Sequence, residues 1–157
     1  MTDREIYNLW LSKTSDLRYL RPRRWEELKK IITNRKVSSV LEFGSGVSTL
    51  LFGNFGLKVL SLETDPIYIE FVRSLCPKNV SLLLWNNRSA QIFKRYDLAL
   101  VDGILPRTYQ LKLALKHADV VAIDDFNEGP RLQIPSGYNC ISRGSTTLTV
   151  FERRRNG

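Results

Sequence analysis

The chain has 157 residues, of which 43% are hydrophobic and 25% charged, which suits one domain with a single sizeable core. It has no apolar run long enough for a membrane-spanning helix, and its polar N-terminal stretch does not read as a signal peptide. The formal net charge of +8 admits an anionic partner, nucleic acid included, and equally a solvated basic surface.

Thr2 and Glu5 are placed as a capping box before an amphipathic helix that runs to about Lys13, with Ile6, Leu9 and Trp10 on one face. The stretch from Ser15 to Arg21 reads as a connection. Pro22 suits the first turn of a second helix reaching about Ile32, lined by Trp25, Leu28 and Ile32. Arg21, Arg23 and Arg24 crowd the start of this helix, an unfavourable end for positive charge. They are expected to splay into water or to face an anionic ligand. Residues 1–36 thus form a helical cap, and residues 37–157 an α/β core.

The core alternates. Strands are predicted over Ser39–Phe43, Lys58–Leu62, Val80–Trp85, Asp97–Val101 and Asp119–Ile123. Helices are predicted from Val47 to Phe55, from Asp65 to Pro77, from Asn86 or Asn87 through Phe93, and from Pro106 to Lys116. Asp65 can cap its helix, with Pro66 in the first turn and Ile67, Phe71 and Leu75 on one face. The strands are apolar along their length, as in a parallel sheet covered on both faces. After the fifth strand come loops at 127–130 and 135–137, then two short strands, Tyr138–Ser142 and Thr146–Glu152. The order argues for an α/β, doubly wound, mostly parallel sheet with helices on both faces, and a turn at Arg143-Gly144-Ser145 joins the last two strands. Cys76 and Cys140 lie far apart without metal-type spacing, so a reduced pair in a cytoplasmic protein is expected.

The chemistry centres on Glu42-Phe43-Gly44-Ser45-Gly46-Val47-Ser48-Thr49, a buried strand, a glycine turn and a helix start. Gly44 and Gly46 let the backbone turn tightly and approach a ligand. The N–H groups that open the helix favour a carboxylate or phosphate. Glu63 ends the second strand, where a carboxylate can accept both ribose hydroxyls of a nucleoside. A dinucleotide fingerprint would want a third glycine near Thr49, and Tyr109 and Lys112 are one residue too close for a Tyr-x-x-x-Lys pair. A nicotinamide oxidoreductase is therefore disfavoured. Polar residues collect at the carboxyl ends of the strands: Glu42, Gly44, Ser45, Gly46, Ser48, then Glu63 and Thr64, Asn86 and Asn87, Asp102, and Asp124 with Asp125. His117 precedes the fifth strand, at the far end of the sheet, and is not expected in the site.

The strings E-F-G-S-G-V-S-T, S-L-E-T-D-P, Y-D-L-A-L-V-D-G and V-V-A-I-D-D-F resemble, in order, the class I S-adenosylmethionine-dependent methyltransferases. Ser48, where a last glycine often sits, is similar to the catechol O-methyltransferase-like branch. The resemblance implies a Rossmann-like, seven-stranded sheet completed by a C-terminal antiparallel hairpin, S-adenosylmethionine as cofactor, and methyl transfer to an acceptor expected to be a small molecule. It places the methionine half on Gly44, Ser45, Gly46 and Ser48, with Glu42 orienting the turn or meeting the amino group. Glu63 takes the ribose, Thr64 flanks it, and Asn86 and Asn87 approach the adenine, with Trp85 near it or in the core. Asp102 faces the methyl group. In that branch an Asp and an Asp-Asn pair hold a divalent metal. Here Asp102, Asp124 and Asp125 stand as the matching cluster, for magnesium or for metal-free general base catalysis. An N-P-P-Y loop is absent, since that place reads Asp102-Gly103-Ile104-Leu105-Pro106. The alternatives are an RNA methyltransferase or RNA-binding relative, with Arg21, Arg23, Arg24, Lys29, Lys30 and Arg153–Arg155 in one patch, and a non-catalytic nucleotide-binding protein. A homo-oligomer is compatible with either.

Overall fold

Seven strands form one sheet in the order β3-β2-β1-β4-β5-β7-β6 in a computed structural model of the chain. The described residues are 1–14, 19–86, 92, 94–103, 107–124, 136–143 and 148–154, with Ser142 and Arg143 described by their backbone alone. The strands are β1 (Ser39–Phe43), β2 (Lys58–Glu63), β3 (Val80–Leu84), β4 (Tyr96–Val101), β5 (Ala118–Ile123), β6 (Tyr138–Arg143) and β7 (Thr149–Arg153). The helices are α1 (Asp3–Lys13), α2 (Pro22–Arg35), α3 (Val47–Asn54), α4 (Pro66–Arg73) and α5 (Arg107–His117). The first five strands pair in parallel, and β7 runs antiparallel to both β5 and β6. This is the doubly wound sheet that the alternation predicts, with the terminal hairpin that the resemblance implies.

Alternate residues of each strand face opposite layers. Val40, Val59, Leu98, Leu100, Val120 and Ala122 join a core with Ile6, Trp10, Trp25, Leu28, Leu50, Ile69 and Val72 of the first four helices. Leu41, Phe43, Leu62, Ala99, Val101, Val121 and Ile123 join the other core, with Leu111 and Ala114 of α5. The N-terminal helices therefore share one core with the sheet. Thr2 accepts the Glu5 N–H and Glu5 accepts the Thr2 N–H, completing the expected capping box on α1. Asp65 caps α4 through the N–H groups of Ile67 and Tyr68.

Several expectations shift. The buried face of α4 is Ile69 and Val72, while Ile67 is 83% exposed. Of the predicted α4 stripe, Phe71 and Leu75 pack against the core, and only Ile67, in the first turn, departs from it. Leu83 and Leu84 are 51% and 55% exposed, because β3 is an edge strand and not a covered one. The helix expected through Phe93 falls mainly outside the described residues, and Asn86 and Ile92 are not helical. No described helix is long and apolar enough to cross a membrane.

Candidate functional site

The strand order turns back between β1 and β4, so the crevice for a ligand opens there, beyond their carboxyl ends. The ladder continues one step past each strand. Gly44 donates to the Leu62 carbonyl at 2.9 Å, Asp102 to Phe43 at 3.0 Å and Asp124 to Val101 at 3.1 Å. Glu63, Gly44, Asp102 and Asp124 thus end neighbouring strands in register, with Glu42 two residues further back in β1.

Gly44 has φ +91°, and a Cβ there would lie 2.8 Å from the Gly103 Cα. Only glycine fits this close approach of two turns. A Cβ on Gly46 would meet nothing nearer than the Tyr68 hydroxyl at 3.8 Å and Trp10 at 4.0 Å. Gly46 is partly exposed, and a methyl group there would make only ordinary van der Waals contacts.

Beneath the turn lies a buried hydroxyl cluster. Glu42 is fully buried and accepts from Ser48 at 2.5 Å, Thr49 at 2.6 Å and Ser61 at 2.7 Å. Since Ser61 donates to Glu42, Ser45 donates to Ser61 at 2.9 Å. Thr49 also accepts the Gly46 N–H at 2.9 Å, so the turn is fixed from below. Burial pushes the Glu42 carboxyl up to about 7, against the pull of the three hydroxyls. Glu42 thus orients the turn and is sealed from solvent. The Ser48 hydroxyl is likewise turned inward, which leaves its backbone N–H as what it offers a ligand.

Glu63 is the acid beside this cluster, itself nearly buried at 9% exposure. One oxygen accepts the Ser45 N–H at 2.9 Å, and the other accepts Thr64 at 2.6 Å and Asp65 at 3.1 Å. The Thr64 hydroxyl adds a longer contact of 3.4 Å to the second oxygen, so the oxygen that takes Ser45 alone is the one with acceptor capacity left. Beside it, Lys13, Thr14, Asp65, Ile67, Tyr68 and Phe71 line an open groove of about 250 Å³.

Asp124 is 1% exposed, and its Oδ1 takes Arg24 Nη1 at 2.7 Å. Arg24, expected in water or on an anionic ligand, is instead committed to an acid of the chain. Among the described residues no three His, Cys, Asp or Glu side chains are grouped to hold a metal. Asp125 and Asn87 lie outside the described residues. Asn86 is exposed after β3. Trp85 is 2% exposed, wedged between Phe43 at 5.5 Å and Tyr109 at 5.9 Å, and so belongs to the core. His117 reaches the Lys94 carbonyl at 3.3 Å, at the opposite end of β4 and β5 from the site. The basic residues divide as well. Arg24 sits at the carboxyl end of β5, while Arg153 approaches Asp119 at its start. Lys29 is held by Asp3 and Glu26.

Sequence reasoning missed Ser61 and the acids that Thr49 and Arg24 pair with. Ser61 had a signal, being a lone hydroxyl at the inward register opposite Glu42 in an apolar strand. Arg24 and Asp124 are a hundred residues apart, and only the fold pairs them.

Solved structures share this architecture. The chain overlays an SAH-bound methyltransferase of Podospora anserina with a TM-score of 0.75 at 14% identity, covering 98% of this chain and 88% of that one. It overlays the O-methyltransferase TomG of Streptomyces achromogenes, solved with SAM, at 0.71 and 14%, covering 98% and 91%. An O-methyltransferase of Bacillus cereus, in complex with SAH, gives 0.72 and 14%, covering 96% and 90%. The chain has the Rossmann-like methyltransferase fold. No family model and no curated protein matches it.

Proposed function

We propose that this protein is an S-adenosylmethionine-dependent methyltransferase acting on a small-molecule acceptor. The observation that carries the reading is the joint between Glu63 and the glycine turn. Ser45 of the turn donates to Glu63, so a nucleoside-binding acid and a helix-opening glycine turn form one rigid unit at the switch point. Three of the methyltransferase-fold structures above were solved with SAM or SAH, which supports the cofactor. The partial exposure of Gly46 and the acceptor capacity left on the Glu63 oxygen that takes Ser45 fit an adenosyl amino acid.

The cofactor supplies an electrophilic methyl group on a sulfonium. The chain's part is to bind and to align. The backbone at Gly44, Gly46 and Ser48 meets the amino-acid end, and Glu63 accepts the ribose hydroxyls. Thr64 flanks the sugar, and Asn86 and Asn87 serve the base. Asp102, projecting past β4 next to Gly44, borders the transfer point, where its carboxylate can take the acceptor's proton. The N-terminal helices supply the wall over this end of the sheet, and selectivity is assigned to them and to the loops after β4 and β5. The separation of Arg24 from Arg153 along β5 gives less support to an RNA substrate.

Calorimetric titration with S-adenosylmethionine, S-adenosylhomocysteine and NAD tests the reading. Micromolar binding of the two adenosyl ligands and none of NAD is expected. Binding of NAD alone, or of none, would sink it.

A further inference from the structure

The acid that ends β5 already has a cation, and the chain itself supplies it. Arg24 comes from the first turn of α2, and its Nη1 lies 2.7 Å from Asp124 Oδ1. The two side chains are 16% and 2% exposed. Asp102 and Asp124 follow Val101 and Ile123, which are register partners on adjacent strands. Carboxylates so placed are what a hard divalent cation seeks.

The guanidinium changes that chemistry. It cannot shed its proton, so its charge is permanent. A dication at Asp124 would sit beside that charge where little water screens it. To enter, it would have to displace Arg24 from the acid that neutralises it, in a largely buried place.

We propose that Arg24 is the resident cation of this site: it takes the charge of Asp124, excludes a divalent metal there, and leaves methyl transfer metal-independent. The last clause rests on the methyltransferase reading, whereas the exclusion of metal stands apart from it.

The test is manganese titrated calorimetrically into full-length wild-type, Arg24→Lys and Arg24→Met proteins, without and then with S-adenosylhomocysteine. Melting curves report folding, and Arg24→Gln replaces Arg24→Met should the latter not fold. Wild-type and Arg24→Lys proteins are expected to take up no manganese in the micromolar range. The neutral variant should bind it at least about tenfold more tightly than wild type, since the opposing charge is gone. Micromolar manganese binding by the wild-type protein, lost in Asp124→Asn, overturns the proposal. A folded neutral variant that gains no manganese also overturns it, because Arg24 would then not be the barrier. If the manganese pattern holds while S-adenosylhomocysteine binds to none of the proteins, metal exclusion stands and the methyltransferase reading falls.

Discussion

The Ser45 backbone N–H donates to Glu63 at 2.9 Å, which fastens the turn after β1 to the acid that ends β2. Glu63 therefore has two tasks, to hold the turn and to present an acceptor. Glu63→Ala removes both. A pair of hydrogen bonds from ribose hydroxyls to a carboxylate is worth about 2–4 kcal/mol. S-adenosylhomocysteine affinity should fall on the order of a hundredfold, while the protein still melts cooperatively, a few degrees lower. Calorimetry on a variant shown to be folded decides the matter, and unchanged affinity would remove Glu63 from the site.

Three glycines separate folding from binding. Gly44 combines φ +91° with a backbone neighbour 2.8 Å from any Cβ, so Gly44→Ala should lose about 3 kcal/mol or more of stability. Gly56 has φ +90° but open space around it, so Gly56→Ala should lose only about 1 kcal/mol. Gly46 has neither constraint. Gly46→Ala should melt near wild type, since its methyl group meets only ordinary contacts, and should lose cofactor affinity if the amino-acid end lies against this turn. Denaturant titrations give the three stabilities. If Gly46→Ala binds S-adenosylhomocysteine as wild type does, the ligand does not lie against this turn.

Glu42 makes stability depend on pH. Its carboxyl rises from 4.5 to about 7 on folding, chiefly through burial. The folded state therefore holds a proton that the unfolded chain releases at lower pH. The stabilisation is complete below about 4.5 and is lost as pH rises through about 7. Its size is about 3 kcal/mol. Glu42→Gln, which stays neutral, should flatten this part of the profile. Thermal unfolding at acid and mildly alkaline pH compares the two proteins. An unchanged slope in Glu42→Gln would assign the dependence to another group.

The parts legible in the sequence are those set by local pattern. The apolar runs at Val40–Phe43 and Val120–Ile123 mark central strands because burial on both faces demands them. Thr2, Glu5, Asp65 and Pro66 mark helix starts because capping is settled within a few residues. What pattern could not give depends on neighbours distant in sequence. Val80–Leu84 reads like a central strand, yet β3 lies at the sheet edge, and nothing in an apolar run encodes how many strands flank it. Ile67 reads as part of an apolar stripe, but its place in the first turn of α4 points it over the turn before it and away from the sheet. At the site, Gly44, Glu63 and Asp102 could be placed by strand ends alone. The inward turn of Ser48 onto Glu42 could not, because it depends on which way a hydroxyl faces.

The Arg24–Asp124 pair also makes a statement about stability. It joins the first turn of α2 to the end of β5, next to Trp25, which is fully buried against Phe52. Asp124→Asn leaves a permanent charge facing a weak partner, while Arg24→Met leaves a buried carboxylate. Each single change should lose about 2–4 kcal/mol. Much of that loss is the stranded partner, so the double variant should be less unstable than the two losses combined. The coupling from the four proteins should reach about 1–3 kcal/mol. Because the pair is screened from solvent, raising the salt concentration should change it little, in contrast to the exposed Arg73–Glu70 pair on α4. Urea melts of the four proteins at low and high salt measure this. Additive losses would mean that the Arg24–Asp124 contact itself contributes nothing to holding α2 on the sheet.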